Sequence, residues 1–201
     1  MNIRKMALGA LTAATTATIT AAVPQVTGVT MTQASGGRTV TISYTLADAP
    51  AVVTLEVQTN ANTSAAADDP GWTSIGGAAV CNAKGDVWKK VQAGNRTITW
   101  RPDLSWPDHI VPNGGARAKV TAWALDNTPD YMAVDVSAAA QPNTQTYYPS
   151  ADFVPGGVSS AEYKTSVILM RKIMAKDVTW TMGSTTLETL RKSNEDRKSV
   201  V

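Results

Sequence analysis

The sequence is short of the residues from which most metal and catalytic sites are built. It holds one Cys, Cys81, and one His, His109, in 201 residues. A lone Cys excludes an internal disulfide framework and any Cys-rich zinc site. A lone His leaves little material for general-base or metal-ligand constellations. Neither sign of charge is in excess: 18 Lys+Arg face 16 Asp+Glu, a net of +2. That excludes the clustered basic footprint of a nucleic-acid-binding protein. Between Val26 and Ser137 the three-four spacing of an amphipathic helix is also missing. What is abundant is apolar material, 43% of the chain, enough for a core and against wholesale disorder. The length suits one domain with appendages, or two small ones.

The first residues read as an address. Arg4 and Lys5 precede an uncharged run, Met6 to Ala22, rich in Ala, Thr and Leu and ending in the small residues Thr20-Ala21-Ala22 before Pro24. This is the layout of a cleavable signal peptide over 1–22. Five Thr in 17 residues make a poor membrane span, and the expectation is an exported protein, periplasmic or extracellular, with no stable span after cleavage. A retained N-terminal anchor is the alternative. Without Arg4 and Lys5, 16 basic and 16 acidic residues remain, so the mild basicity belongs to the targeting segment.

From residue 23 to 137 the dominant period is two. Thr39 to Leu46 sets Val40, Ile42, Tyr44 and Leu46 on one face and hydroxyls on the other. Val53, Leu55 and Val57 resume the pattern, then Ile98 with Trp100. Ala118, Val120, Ala122 and Ala124 follow, and Met132, Val134 and Val136 end it. Weaker strands fit Val26–Thr32, Trp72–Ile75 and Val87–Gln92. Seven or eight short strands separated by Gly, Pro and Asn turns predict an antiparallel β-sandwich, immunoglobulin- or fibronectin III-like, with barrels as the competitor. Residues 138–162 are rich in Pro, Gly and Ser and read as a linker, with Tyr147, Tyr148 and Phe153 placed to hold it against a neighbouring surface. Pattern returns in 163–201, where Val167-Ile168-Leu169-Met170 and Val178 to Ser184 predict a hairpin around Ala175-Lys176-Asp177. A two-stranded hairpin alone is marginal in water, so this stretch reads as the opening of a second, truncated domain.

Isolated residues offer weaker chemistry. Ser105, Asp108 and His109 have the residue types of a hydrolytic triad, but Asp108 and His109 are neighbours in a Pro-bounded loop and fit a structural role better. Asp103 and Asp108 are the near partners His109 would have as a metal ligand, which is too few. Asp126-Asn127-Thr128-Pro129-Asp130 carries oxygens suited to Ca²⁺ without the spacing of a calcium loop, and a turn explains it more simply. Trp72, Trp88, Trp106 and Trp123 would form a sugar-stacking platform if they shared an exposed face, and Trp72 and Trp123 are the candidates for surface binding. Cys81, after Ala78-Ala79-Val80, reads as a small core residue.

Ile173-Met174-Ala175-Lys176 running into Trp180-Thr181-Met182-Gly183-Ser184 resembles the entry of the formylglycine-generating enzyme (sulfatase-modifying factor) domain. Glu188, Arg191, Asn194 and Glu195 stand at spacing similar to that family's next loop, whose expected His is replaced by Asp196 to Val201. Val26 to Met31, Thr99 to Pro102, Ser105 to His109 and Pro129 to Met132 resemble a sandwich found ahead of this domain in exported bacterial proteins. For the complete family domain the resemblance implies oxidation of a sulfatase Cys to formylglycine with copper and O₂, or a diverged relative using non-haem iron, with calcium as a further ion. The family's catalytic Cys pair and metal positions have no counterpart in this stretch, and Cys81 is not one of them. The resemblance therefore implies a chain inactive by itself. It would be a spacer or recruitment module for the missing C-terminal catalytic domain and its sulfatase-like substrate. The other reading is a stand-alone secreted adhesion module that binds a surface glycan. No catalytic, cofactor or metal residue is expected in this chain.

Overall fold

A computed structural model describes residues 22–48, 50–137 and 144–173. The signal-peptide stretch up to residue 21 lies outside the described residues. So do the family-motif positions Trp180, Met182, Gly183, Ser184, Glu188, Arg191, Asn194 and Glu195, and the second half of the expected hairpin.

The described chain is mainly β, and every paired strand is antiparallel. Strand β1 (Gln25–Gln33) pairs with β2 (Val40–Ala47). β3 is Ala51–Thr59, and β4 is the two-residue Thr73–Ser74. A single helical turn, α1 (Gly77–Val80), leads to β5 (Lys84–Gly85), β6 (Lys89–Val91) and β7 (Gly94–Trp100). A second turn, α2 (Pro102–Ser105), precedes β8 (Ala116–Trp123) and β9 (Tyr131–Asp135), and β10 (Gln145–Tyr148) and β11 (Val167–Arg171) close the order. One sheet runs β1-β2-β7-β5. In the second, β3 takes β8 on one edge and both β4 and β6 on the other. The third runs β10-β9-β11.

The alternation in β2 decides which face goes in. Val40, Ile42, Tyr44 and Leu46 are buried while Ser43 between them is exposed. They share one apolar cluster with Ile98 and Trp100 of β7 and with Val53, Leu55 and Val57 of β3, so the first two sheets enclose a common core. Each fully buried aliphatic side chain in it contributes about 1.5–3 kcal/mol. β3 is central to its sheet: its inner side chains join the core, and outer ones are screened by the long side chains of β8, Trp123 on Thr54 and Arg117 on Gln58, so Ala51 to Leu55 is a continuous buried run. Two aromatic polar tips inside the core find backbone partners. Tyr44 Oη donates to Asp86 O at 2.6 Å, and Trp100 Nε1 donates to Ala79 O at 2.8 Å. Burial, reinforced by the Asp86 charge, pushes the Tyr44 hydroxyl well above the ordinary tyrosine range.

The stretch expected to be a linker is structured over its described part. β10 pairs with β9, followed by a 3-10 turn at Ala151–Phe153. Tyr148 and Phe153 pack on Trp88 with ring centroids 6.0 and 5.9 Å away. Trp88 is the hinge pin of this joint. Its N–H donates to Val53 O of the second sheet, and its C=O accepts from Tyr147 N of the third. It sits at φ 59, rare for an aromatic residue, and its indole N–H is buried without a partner. Gly77 lets the 3-10 turn seat on α1, since a Cβ there would stand 2.5 Å from Phe153 Cα. Beyond the turn, β11 adds to the other edge of β9, with Leu169 opposite Ala133. Val167 and Leu169 face the core.

Candidate functional site

Three places on the described chain have the makings of a site. The first is the outer face of β3 and β8. Pairing puts Val52 opposite Trp123, Thr54 opposite Thr121, Glu56 opposite Lys119 and Gln58 opposite Arg117, all on the side away from Leu55 and Val120. Trp123 therefore faces outward, as its parity in the sequence predicted. Trp72 comes to the same face from the loop before β4, with the Arg117 guanidinium 4.3 Å from its ring centroid. Six residues of strand, about 20 Å at 3.4 Å each, separate the Arg117 row from the Trp123 row. The two indoles mark opposite ends of the face and do not form one stacking platform. Both N–H groups are used within the chain: Trp72 Nε1 donates to Ala66 O and Trp123 Nε1 to Thr54 Oγ1, each at 2.8 Å. Arg117 also donates from Nε to Gln58 Oε1 at 2.8 Å, and from a terminal nitrogen to Ala67 O.

Of the other two tryptophans considered for a sugar platform, Trp88 is buried in the joint just described, and Trp106 lies in the second place, one end of the sandwich. There Trp100, Trp106 and His109 stack in sequence, with centroid separations of 6.5 and 4.0 Å. A cleft of about 330 Å³ opens beside them, floored by Val40, Val57 and Trp100. The stack was not legible in the sequence, because it depends on the α2 turn folding Trp106 back over Trp100. The triad types do not converge here. Ser105 Oγ donates to Ala79 O at 2.5 Å, the His109 Nδ1 partner is Pro107 O at 2.6 Å, and Asp108 sits at φ 62 in the turn between them. Asp103 is engaged by Arg101 through two hydrogen bonds of 2.8 and 2.7 Å, which hold its carboxyl below the usual carboxylate range. Among the described residues no three His, Cys, Asp or Glu side chains gather closely enough to hold a metal ion. Cys81 is half-buried, its Sγ 3.0 Å from Ala78 O.

The third place is the Asp126–Asp130 loop. A turn over Ala124 to Asn127, closed by Asn127 N donating to Ala124 O, leads into it. Its oxygens face an ammonium group of the chain itself. Lys172 Nζ donates to Thr128 O at 2.5 Å and Asn127 Oδ1 at 3.2 Å, and lies 3.6 Å from Asp130 Oδ1. A calcium ion there would meet that charge at short range. The Lys172 backbone N–H also donates to Asp130 O at 2.6 Å. Nothing in the sequence marked Lys172, because the contact joins residues more than forty positions apart.

The described residues thus define a mainly β protein of antiparallel sheets. Compared with protein-family models, with curated proteins and with solved structures, the chain matches none.

Proposed function

We propose that this chain is a non-catalytic presenting module of an exported protein. On this reading an immunoglobulin- or fibronectin III-like sandwich holds the entry of a formylglycine-generating-enzyme-like domain at a set orientation for a protein substrate of the sulfatase kind. The observation that carries the reading is the clamp at the end of the described chain. β11 is paired along β9, and Lys172 is tied to the 127–130 turn by backbone and side chain. Ile173 leaves that clamp directly into the residues with the Met182-Gly183-Ser184 resemblance. A flexible tether would let a following domain tumble; a strand fixed in a sheet does not. Copper or non-haem iron, and calcium, belong on this reading to the family domain and not to residues 23–173.

The test uses the full chain expressed in a bacterium. The expected results are an exported form whose first residue is Val23, a protease-resistant fragment that keeps the sandwich and 144–173 together, and no formylglycine by mass spectrometry on a sulfatase Cys peptide given Cu²⁺ and O₂. Release of two separately resistant pieces by cleavage within 138–162 would overturn the presenting role. Formylglycine formed by the chain alone would overturn the non-catalytic one. A second reading, a secreted adhesion or glycan-binding module, would have to use Trp72 and Trp123 as two separate contacts at opposite ends of the outer face.

A further inference from the structure

The outer face of the first sheet carries hydroxyls and little else. Register places Thr32, Thr41 and Thr99 in one row across β1, β2 and β7, and Thr30, Ser43 and Thr97 in the next. All six side chains point away from the core that Val40, Ile98 and Trp100 help to fill. Five are exposed and Thr41 is half-buried. Thr32 donates its hydroxyl to Thr41 O at 3.5 Å, and among the described residues the other five hydroxyls have no such partner. The grid holds no charge; Lys84, opposite Thr99 on β5, borders it. Threonine is a good strand former, which explains part of this composition. It does not explain the missing charge. The outer face of the second sheet, which also carries threonines, holds Glu56, Lys119, Arg117 and Lys90.

Neighbouring strands lie about 4.8 Å apart, and alternate residues of one strand about 6.8 Å apart. A grid of hydroxyls with those two repeats is close to the grid of water oxygens on a prism face of hexagonal ice. Threonine suits such a surface, because its branched side chain is stiff at χ1 and loses little freedom when the hydroxyl is fixed. A charge in the grid would keep its own hydration shell instead. Aromatic rings, on which sugars stack, are missing from the grid: Tyr44 and Trp100 of the same strands are buried on the other side. We propose that this face binds ice, the hydroxyl rows of β1, β2 and β7 docking onto ordered water. Adjacent strands twist by about 20–25°, so the match extends over few strands, and the resulting activity is slowed recrystallisation rather than arrested growth. The inference is independent of the presenting role and gives the sandwich a ligand of its own.

Partition of the full chain into a slowly growing ice front, and the grain size of annealed polycrystalline ice, test this. The parent is expected to be enriched in the ice and to keep the grains small, where serum albumin at equal concentration does neither. Thr97→Lys puts an ammonium group on the grid, which gives up its hydration only at a cost, and should weaken both effects at least about tenfold. Thr73→Lys, the same change on the second sheet, should leave both as they are. Thermal denaturation followed by circular dichroism reports whether each variant is folded, and Thr32→Lys on β1 takes the place of Thr97→Lys if that variant unfolds. A parent excluded from the ice overturns the proposal. So does a folded Thr97→Lys or Thr32→Lys variant that partitions like the parent. Retention of the parent on crystalline cellulose or chitin without enrichment in ice overturns it in favour of a polysaccharide. None of these results touches the presenting role, which the proteolytic fragment decides.

Discussion

Replacing Trp88 separates packing from polarity at the joint between the second and third sheets. The side chain is 6% exposed and touches Tyr148 and Phe153. Cutting a buried tryptophan to alanine ordinarily costs about 3–5 kcal/mol, through lost transfer energy and the cavity left behind. Here the lost indole also removes a buried N–H that has no partner, a group that costs about 1–3 kcal/mol where it stands. Trp88→Ala is therefore expected to destabilise by roughly 2–3 kcal/mol, toward the low end for such a change. Trp88→Phe gives up two ring carbons, about 1.6 kcal/mol at about 0.8 each, and recovers the same N–H cost. It should fall within about 1 kcal/mol of the parent. Urea denaturation followed by circular dichroism measures both. Limited proteolysis should show 144–173 opening before the rest in the alanine variant only. If phenylalanine is as costly as alanine, or alanine costs less than about 1 kcal/mol, the reasoning about this joint is wrong.

Gly77→Ala should cost on the order of 1–3 kcal/mol, because its Cβ meets the Phe153 backbone and a fixed chain segment must shift; thermal denaturation checks it, and an unchanged Tm would count against the seating of the 3-10 turn. Trp72→Ala and Trp123→Ala should each lower stability by about 1–2 kcal/mol through lost packing while leaving retention on polysaccharide columns unchanged, since both indoles are already engaged inside the chain. Retention that vanishes in either folded variant would favour the glycan-binding reading. The Tyr44 hydroxyl is raised by burial first and by the nearby Asp86 charge second. A group whose pKa is higher folded than unfolded contributes stability that is complete below the unfolded value and lost as pH rises past it. Stability should therefore be flat near neutrality and fall above about pH 10, less steeply in Tyr44→Phe. Ultraviolet titration should show Tyr44 ionising only with unfolding, and ionisation alongside exposed tyrosines would refute the burial argument.

The strand content was legible wherever one face of a strand is buried and the other is not. Thr39 to Leu46 alternates because β2 has the core on one side and water on the other, and the same logic placed Trp123 outward. Val53, Leu55 and Val57 kept the period in β3, although its outer residues Val52 and Thr54 are buried as well. One element hid from it. β10 is four residues long, too short to show a period, and its apolar residues read as loop aromatics among Pro and Gly. The Trp100–Trp106–His109 stack and the Lys172 clamp were beyond reach for a different reason: each needs a turn or a strand pairing already in place before its partners are near.

Sequence alone is enough to show that the chain is β-rich, where most strands run, and which side of β2, β3, β7 and β8 faces the core. These follow from residue chemistry and a two-residue period, both of which are local. In β9 the apolar set Met132 and Val134 points outward and Ala133 is the buried residue. That residues 144–173 belong to the same body as the sandwich is visible only once the chain is folded. Strand pairing across a long loop depends on which edge is open once the other sheets have formed. The lone Lys172 ammonium in the 127–130 turn and the partnerless indole of Trp88 likewise come from contacts between distant parts of the chain.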